Sequence, residues 1–191
     1  MTIKFVFDLD LTLYSDNEYN DTTNEDEYYN SFKRKPFLRE ILNSIPYPKY
    51  ILTNASKDHA IDVLKKMGLL KCFKNIMSSD MFELYKPAIQ TYKVAINIFK
   101  IKDTDTVYYF EDLAENLKPA KENYGWTTIW LTKDANAHRR KPKYVDHKFV
   151  SVEEAMLYLC ANNPVLTLAN PEIVKTESTT TNTVTTENKT S

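Results

Sequence analysis

Two carboxylates, Asp8 and Asp10, stand two residues apart directly after the apolar run Ile3–Phe7, and Thr12 follows them. Three further stretches bring polar groups to the end of an apolar run or to the start of a helical one: Thr53-Asn54 after Tyr50-Ile51-Leu52, Lys86 before Pro87, and Glu111-Asp112 after Thr106–Phe110. Mg²⁺ takes oxygen ligands, usually one or two carboxylates together with substrate oxygens, and Asp8 and Asp112 are of that type. A lysine and a hydroxyl-bearing turn suit the remaining oxygens of a phosphate and offset charge that builds up during its transfer. An aspartate can also act as a nucleophile, while a second carboxyl gives a proton to the leaving group and then activates water. The chemistry to expect is Mg²⁺-dependent phosphoryl transfer to an aspartate, followed by hydrolysis.

Such groups act together only if the chain brings them to one place. A strand covered on both faces reads as a continuous apolar run, as Ile3–Phe7 does. Helical spacing follows it in Phe37, Leu38, Ile41, Leu42 and Ile45, within a helix expected from about Ser31 to Ser44 with Pro36 in its first turn. Ala60, Val63, Leu64 and Met67 form a second helical face, stopped by Gly68. A third strand is expected within Phe73–Met77, and a helix after Lys86 with Pro87 at its first position. Strand Thr106–Phe110, a helix from Ala114 to Tyr124 stopped by Gly125, and strand Thr127–Leu131 come next. An edge strand is expected at Phe149-Val150, and Ser151-Val152-Glu153-Glu154 is a capping box opening a helix to about Cys160. Strands alternating with helices predict an α/β fold, a parallel sheet with helices on both faces. In such a sheet the strand ends share one edge, where ligands bind.

Two segments read as unstructured. Residues 16–27 carry six acidic side chains, no basic and no aliphatic ones, so residues 15–30 are expected to be a solvated acidic loop with no packed element. The Thr- and Asn-rich residues 162–191 are expected to be a disordered tail, leaving residues 1–161 as the one folded domain.

Composition excludes several classes. Two glycines are too few for a P-loop or a dinucleotide fingerprint. A net charge of −1 creates no field to recruit nucleic acid or an anionic membrane, and no stretch approaches the ~20 apolar residues of a membrane span. The sequence begins directly on a strand, without a secretion leader, so a soluble, cytoplasmic protein is expected, with Cys72 and Cys160 as core thiols. On the same ground the glycosylation pattern Asn188-Lys189-Thr190 carries no weight. His59, His138 and His147 read as exposed helix or loop residues, and the basic cluster 139–143 as a solvated surface. Thr53 has an alternative role as a helix cap and Glu111 as a solvated loop acid. For Tyr28-Tyr29, substrate contact and packing on the core edge both stay open.

The motifs Phe7-Asp8-Leu9-Asp10-Leu11-Thr12-Leu13-Tyr14, Leu52-Thr53-Asn54-Ala55, Tyr85-Lys86-Pro87 and Phe110-Glu111-Asp112 occur in the order found in haloacid dehalogenase-like phosphohydrolases. The chain resembles that superfamily over nearly all of residues 3–160. The runs Thr53–Ala60 and Glu111–Leu117 are most similar to its pyrimidine 5′-nucleotidase branch. The resemblance implies a Rossmann-like fold, with Asp8 as nucleophile and Mg²⁺ ligand. It implies Asp10 as general acid/base that also gives its backbone carbonyl to the metal. Thr53, the Asn54 amide and Lys86 would hold phosphate. Asp112 would bind the metal, Glu111 would assist through water, and Asn116 would orient the motif.

The chain departs from that branch where a helical cap is normally inserted. The interval from Tyr14 to Ser31 is too short for a bundle of helices averaging ~11 residues each. Pyrimidine selectivity is therefore not carried over. The resulting expectation is a Mg²⁺-dependent phosphomonoesterase with a nucleotidase-like core and a phosphorylated small molecule or macromolecule as substrate. The alternatives are an uncapped phosphatase on protein or polynucleotide substrates, and a non-catalytic scaffold, against which the retained Asp8 and Asp10 argue. An acidic loop beside the site disfavours nucleic acid and favours substrates with basic flanks. A partner subunit acting as the lid is a further expectation.

Overall fold

The computed structural model describes residues 2–19, 22–133 and 141–166. Six strands form one parallel sheet: β1 (Ile3–Phe7), β2 (Lys49–Leu52), β3 (Asn75–Met77), β4 (Thr106–Glu111), β5 (Thr127–Leu131) and β6 (His147–Phe149), in the order β3-β2-β1-β4-β5-β6. The chain builds outward from β1 to β3, then returns to the other side of β1 to place β4. The strand order thus reverses between β1 and β4, and the crevice beyond their C-terminal ends is where sheets of this kind bind ligands.

Alternation along the strands divides the core in two. Phe5, Phe7, Tyr108 and Phe110 face one side, with rings of in-register neighbours stacked at 5.3 Å (Phe5–Tyr108) and 4.4 Å (Phe7–Phe110). Helices α2 (Pro36–Ser44), α3 (Lys57–Met67) and α6 (Val152–Asn162) cover that side. Val6, Tyr50, Leu52 and Tyr109 face the other side, under α4 (Ile89–Phe99) and α5 (Ala114–Tyr124). Phe5, Phe7 and Phe110 are fully buried, each contributing about 1.5–3 kcal/mol relative to exposure.

Gly68 and Gly125 end α3 and α5 in the left-handed conformation, at φ 76° and 65°. Ser151 caps α6 by accepting from the Glu154 N–H, and the Glu154 carboxylate accepts from Val150 N–H. Two helix starts differ from expectation. Residues 32–35 are not helical and α2 starts at Pro36, so the helix does not begin near Ser31. Pro87 lies in a turn closed by the Ala88 N–H on Tyr85 C=O, and α4 begins two residues later at Ile89. The edge strand is also displaced, running His147–Phe149 rather than through Val150, so His147 is a half-buried strand residue.

The largest correction concerns the acidic segment. A 3-10 turn at Asp16–Glu18 and helix α1 (Glu25–Ser31) occupy it. Asn24 caps α1 by accepting from Glu27 N–H, and Glu25, Asp26 and Glu27 lie in its first turn, where the helix dipole favours negative charge. Its apolar area comes from aromatic residues. Tyr19, Tyr28 and Phe32 pack with Tyr14 in ring contacts of 4.9–5.6 Å. Acidity on one side of this segment hid an aromatic face on the other.

At the C-terminal end, a 3-10 turn at Pro164–Leu166 extends the packed chain beyond the expected boundary at Asn162, with Leu166 fully buried. Residues 167–191, with the rest of the expected disordered tail and Asn188, lie outside the described residues, as do His138, Arg139 and Arg140. Cys72 and Cys160 are free, half-buried thiols rather than core ones. No helix among the described residues is long and apolar enough to cross a membrane.

Candidate active site

Asp8 follows β1 immediately, and its N–H donates to Phe110 C=O of β4 (2.9 Å), which continues the sheet by one bond and fixes the carboxylate at the strand reversal. Lys86 Nζ reaches Asp8 Oδ1 at 2.6 Å and Glu111 Oε2 at 3.0 Å. The Thr12 hydroxyl lies 3.1 Å from Asp8 Oδ2 and 3.3 Å from Asp112 Oδ1. Leu11 makes the turn that brings Thr12 back, at φ 58°, a left-handed conformation that non-glycine residues adopt at a cost.

Glu111 is buried and anchored by Lys86, by the Tyr109 hydroxyl (3.0 Å) and by the Asn116 amide. Asn116 is held in turn through its carbonyl by the Tyr92 hydroxyl. Glu111 is thus no solvated loop acid. Thr53 is also buried; its hydroxyl accepts from Ala55 N–H at 3.0 Å, while Ser56 caps α3. The Asn54 side chain makes a reciprocal pair with the Lys86 main chain, accepting from its N–H (2.9 Å) and donating to its C=O (3.2 Å). That pair latches the lysine loop to the end of β2. Any phosphate contact from Asn54 is therefore left to its backbone N–H.

The structure brings Asp8, Lys86, Glu111 and Asp112 into direct or one-residue contact. Asp10 stands apart from them, with a different set of partners. Its Oδ1 accepts from the Tyr14 hydroxyl at 2.6 Å and lies 2.9 Å from His59 Nε2, and the Tyr29 hydroxyl lies 3.1 Å from His59 Nδ1. The sequence places Tyr14 at the end of the first motif and leaves Tyr29 open between substrate contact and packing, whereas His59, read as an exposed residue, is half-buried beside Asp10. The available signal was positional: α3 starts at the same sheet edge as Asp10, so its first turn faces the site. Tyr28 and Tyr29 belong to the aromatic packing of α1.

One ammonium stands among three carboxylates. Burial pushes Asp8 above the ordinary carboxylate range despite Lys86. Burial, followed by the charge of Asp8, pushes Glu111 up to about 8 and Asp112 up to about 6. Burial opposes the charge on Lys86, but Asp8 and Glu111 outweigh it and hold the lysine above its usual value. Lys86 stays charged and the acidic cluster retains a proton. Burial also acts to raise Asp10, yet the bonds from His59 and Tyr14 bring it below the usual range.

Carboxylate oxygens of Asp8, Glu111 and Asp112 all lie within 4.8 Å of one another. An all-oxygen donor set with excess negative charge fits a hard divalent cation. Glu111 is buried and accepts from three donors, whereas Asp112 is half-buried and accepts from Thr12, so Asp112 is the better placed of the two to join Asp8. Removing the lysine leaves Asp8 and Glu111 buried without their counter-charge. Lys86→Ala is expected to destabilise the metal-free fold by about 3–5 kcal/mol, read from urea unfolding at neutral pH.

Known proteins share parts of this arrangement. Over 91 residues, 48% of this chain, the sequence is 28% identical to a glyceraldehyde 3-phosphate phosphatase of Methanocaldococcus jannaschii; the match spans 40% of that protein's length. The fold is similar to that of L-2-haloacid dehalogenase from Xanthobacter autotrophicus, with a TM-score of 0.65 and 14% identity over 85% of this chain and 99% of that one. It is also similar to a haloacid dehalogenase-like family protein of Streptococcus pneumoniae, with a TM-score of 0.59 and 15% identity over 83% of this chain and 98% of that one. The sequence profile of haloacid dehalogenase-like hydrolases matches residues 16–130, from just beyond the Asp8-Asp10 turn to the end of β5. With that profile spanning more than half of its length, the chain belongs to the haloacid dehalogenase-like hydrolase family.

Proposed function

We propose that this protein is a Mg²⁺-dependent phosphomonoester hydrolase working through an aspartyl-phosphate. The observation that carries the reading is the setting of Asp8. It is a buried carboxylate at the sheet's strand reversal, held by Lys86 at 2.6 Å and Thr12 at 3.1 Å, with a second carboxyl two residues on.

An Asp8 oxygen attacks phosphorus as the bond from phosphorus to the leaving oxygen breaks; Asp10, ionised in the free protein, takes up a proton as the phosphoryl group binds beside it and gives that proton to the leaving oxygen. Water then attacks the aspartyl-phosphate and loses a proton to Asp10, which frees inorganic phosphate and regenerates the Asp8 carboxylate. Lys86, the Thr53 hydroxyl and the Asn54 backbone N–H hold the phosphoryl oxygens, and Glu111 keeps Lys86 charged and aimed. Asp8, Asp112 and the Asp10 backbone carbonyl would hold Mg²⁺, with Glu111 assisting through water. The ion when bound offsets the charge of the phosphoryl group.

The activity of the archaeal relative, a glyceraldehyde 3-phosphate phosphatase, supports a small phosphomonoester as substrate. The nucleotidase-like runs keep nucleoside monophosphates among the candidates, without pyrimidine selectivity. A second reading, a phosphorylated macromolecule, is favoured by the uncovered mouth of the site. Leu11, Tyr85 and Leu113 directly follow Asp10, precede Lys86 and follow Asp112, and they are 44%, 58% and 56% exposed. Among macromolecules, the exposed acids of α1 favour a phosphoprotein with basic flanks over a polynucleotide end.

The test is phosphate release with Mg²⁺ from an aryl phosphate, nucleoside monophosphates, sugar phosphates and phosphopeptides. Hydrolysis of the aryl phosphate and of one class above the others is the expected result. No release with any substrate or divalent metal would overturn the reading in favour of a non-catalytic scaffold.

A further inference from the structure

We propose that His59 is a positioning residue for Asp10, locking its carboxyl so that one oxygen alone exchanges the proton, and that Tyr29 ties this lock to α1. The proposal rests on the phosphatase reading and adds to it a residue with no part in the four motifs. His59 is the third residue of α3, and its N–H donates to the Ser56 cap at 3.3 Å, so the first turn of the helix fixes its backbone. Its ring is half-buried, with the Tyr28 and Tyr29 rings at 6.2 and 5.8 Å.

The hydrogen bonds constrain the proton positions. Whether Oδ2 carries a proton or not, Oδ1 of Asp10 accepts, so His59 Nε2, 2.9 Å from Oδ1, must carry hydrogen. In the Nε2–H tautomer Nδ1 is an acceptor, and the Tyr29 hydroxyl at 3.1 Å supplies the proton for that bond. Tyr14 donates to the same Asp10 oxygen at 2.6 Å. Two donors on Oδ1 fix the carboxyl's rotation and lower the proton affinity of that oxygen. Oδ2, which accepts from no described residue, is left to give its proton to the leaving oxygen as the bond to phosphorus breaks. The same Oδ2 then takes a proton from the attacking water. Tyr29 belongs to α1, so the short element in the place of a cap is wired to the acid/base group and not only packed beside it.

Leaving-group dependence separates this role from a merely structural one. An alkyl leaving oxygen needs the proton in the transition state, whereas a nitrophenolate departs without it. His59→Leu is expected to lower kcat/KM, which reports the steps up to departure of the leaving group, on an alkyl phosphate by about 10-fold to 100-fold while changing kcat/KM on a nitrophenyl phosphate by less than about 3-fold. His59→Gln, whose amide can still donate, should recover part of the loss, and Tyr29→Phe should show a smaller loss of the same kind. Equal losses on both substrates, or none on either, would overturn the positioning role and leave the phosphatase reading intact. A wild-type protein inactive on both substrates would instead remove that reading, and this proposal with it. In the unmutated protein, ¹⁵N NMR of the imidazole should report the Nε2–H tautomer; the Nδ1–H tautomer would contradict the proposal whatever the variants do.

Discussion

Replacing Asp8 by asparagine is expected to lower phosphomonoester hydrolysis by at least about 10⁴-fold while leaving the fold as stable as before, or more so. Asparagine fills the same space and has no ionised oxygen to attack phosphorus. The contacts around it can be kept: Lys86 retains Glu111 at 3.0 Å, the side-chain oxygen of asparagine can accept from Lys86, and its amide NH2 can donate to the Thr12 hydroxyl. One negative charge leaves a cluster in which Asp8 pushes both Glu111 and Asp112 upward, so both should titrate lower in the variant. Phosphate release and thermal melting at neutral pH measure the two halves. Activity within tenfold of wild type would remove Asp8 from the nucleophile's role. Loss of activity with a collapsed Tm would show that Asp8 supports the fold more than the chemistry.

Asp8 and Asp112 stood out in the sequence because each marks an abrupt change, from a run that must be buried to a group that resists burial, and Lys86 because it stands before Pro87 at the start of a helical run. The same contrast made the β1, β4 and β5 segments legible, and Gly68 and Gly125 marked the ends of α3 and α5 as chain stops. What stayed hidden depends on contacts across long sequence separations. His59 meets Asp10 over 49 positions, and Asn54 meets the Lys86 main chain over 32; neither pairing leaves a local pattern. Helix α1 was missed for another reason. Counting charges between Asp16 and Glu27 describes its solvated side, whereas Tyr19, Tyr28 and Phe32 build the face that packs on Tyr14. The position of Pro87 shows the limit of a favourable local rule. Proline suits the first turn of a helix, yet here the turn that presents Lys86 to Asp8 takes precedence, and the helix waits until Ile89.

The same charge cluster makes the stability of the metal-free protein depend on pH in an unusual direction. Most paired carboxylates titrate low in a folded protein, and acid then destabilises it. Here burial and mutual repulsion raise Asp112 to about 6 and Glu111 to about 8, with Asp8 raised as well. Between about pH 4 and 8 the folded state therefore binds more protons than the unfolded chain, so the slope of unfolding free energy against pH is negative. The contribution is fully present below the unfolded carboxylate values and is lost as pH rises through the folded ones. The depressed carboxyls Asp10, Asp105 and Asp146 act in the opposite sense, but below about pH 4, and within the window His147, held below its usual value by burial, opposes the three raised carboxyls. The Tm of the metal-free protein should thus be lower near pH 8 than near pH 5, by on the order of 5 °C. A divalent cation held by Asp8 and Asp112 stabilises the ionised cluster, by about 2.7 kcal/mol at a hundredfold excess over its Kd. Millimolar Mg²⁺ should therefore raise Tm near pH 8, do little near pH 5, and flatten or invert the profile. Glu111→Gln should flatten the metal-free profile without added ion, because the neutral amide has no proton to lose. A metal-free Tm that rises steadily from pH 5 to 8, unaffected by Mg²⁺, would mean that the three carboxylates ionise freely and that no cation site is formed by them.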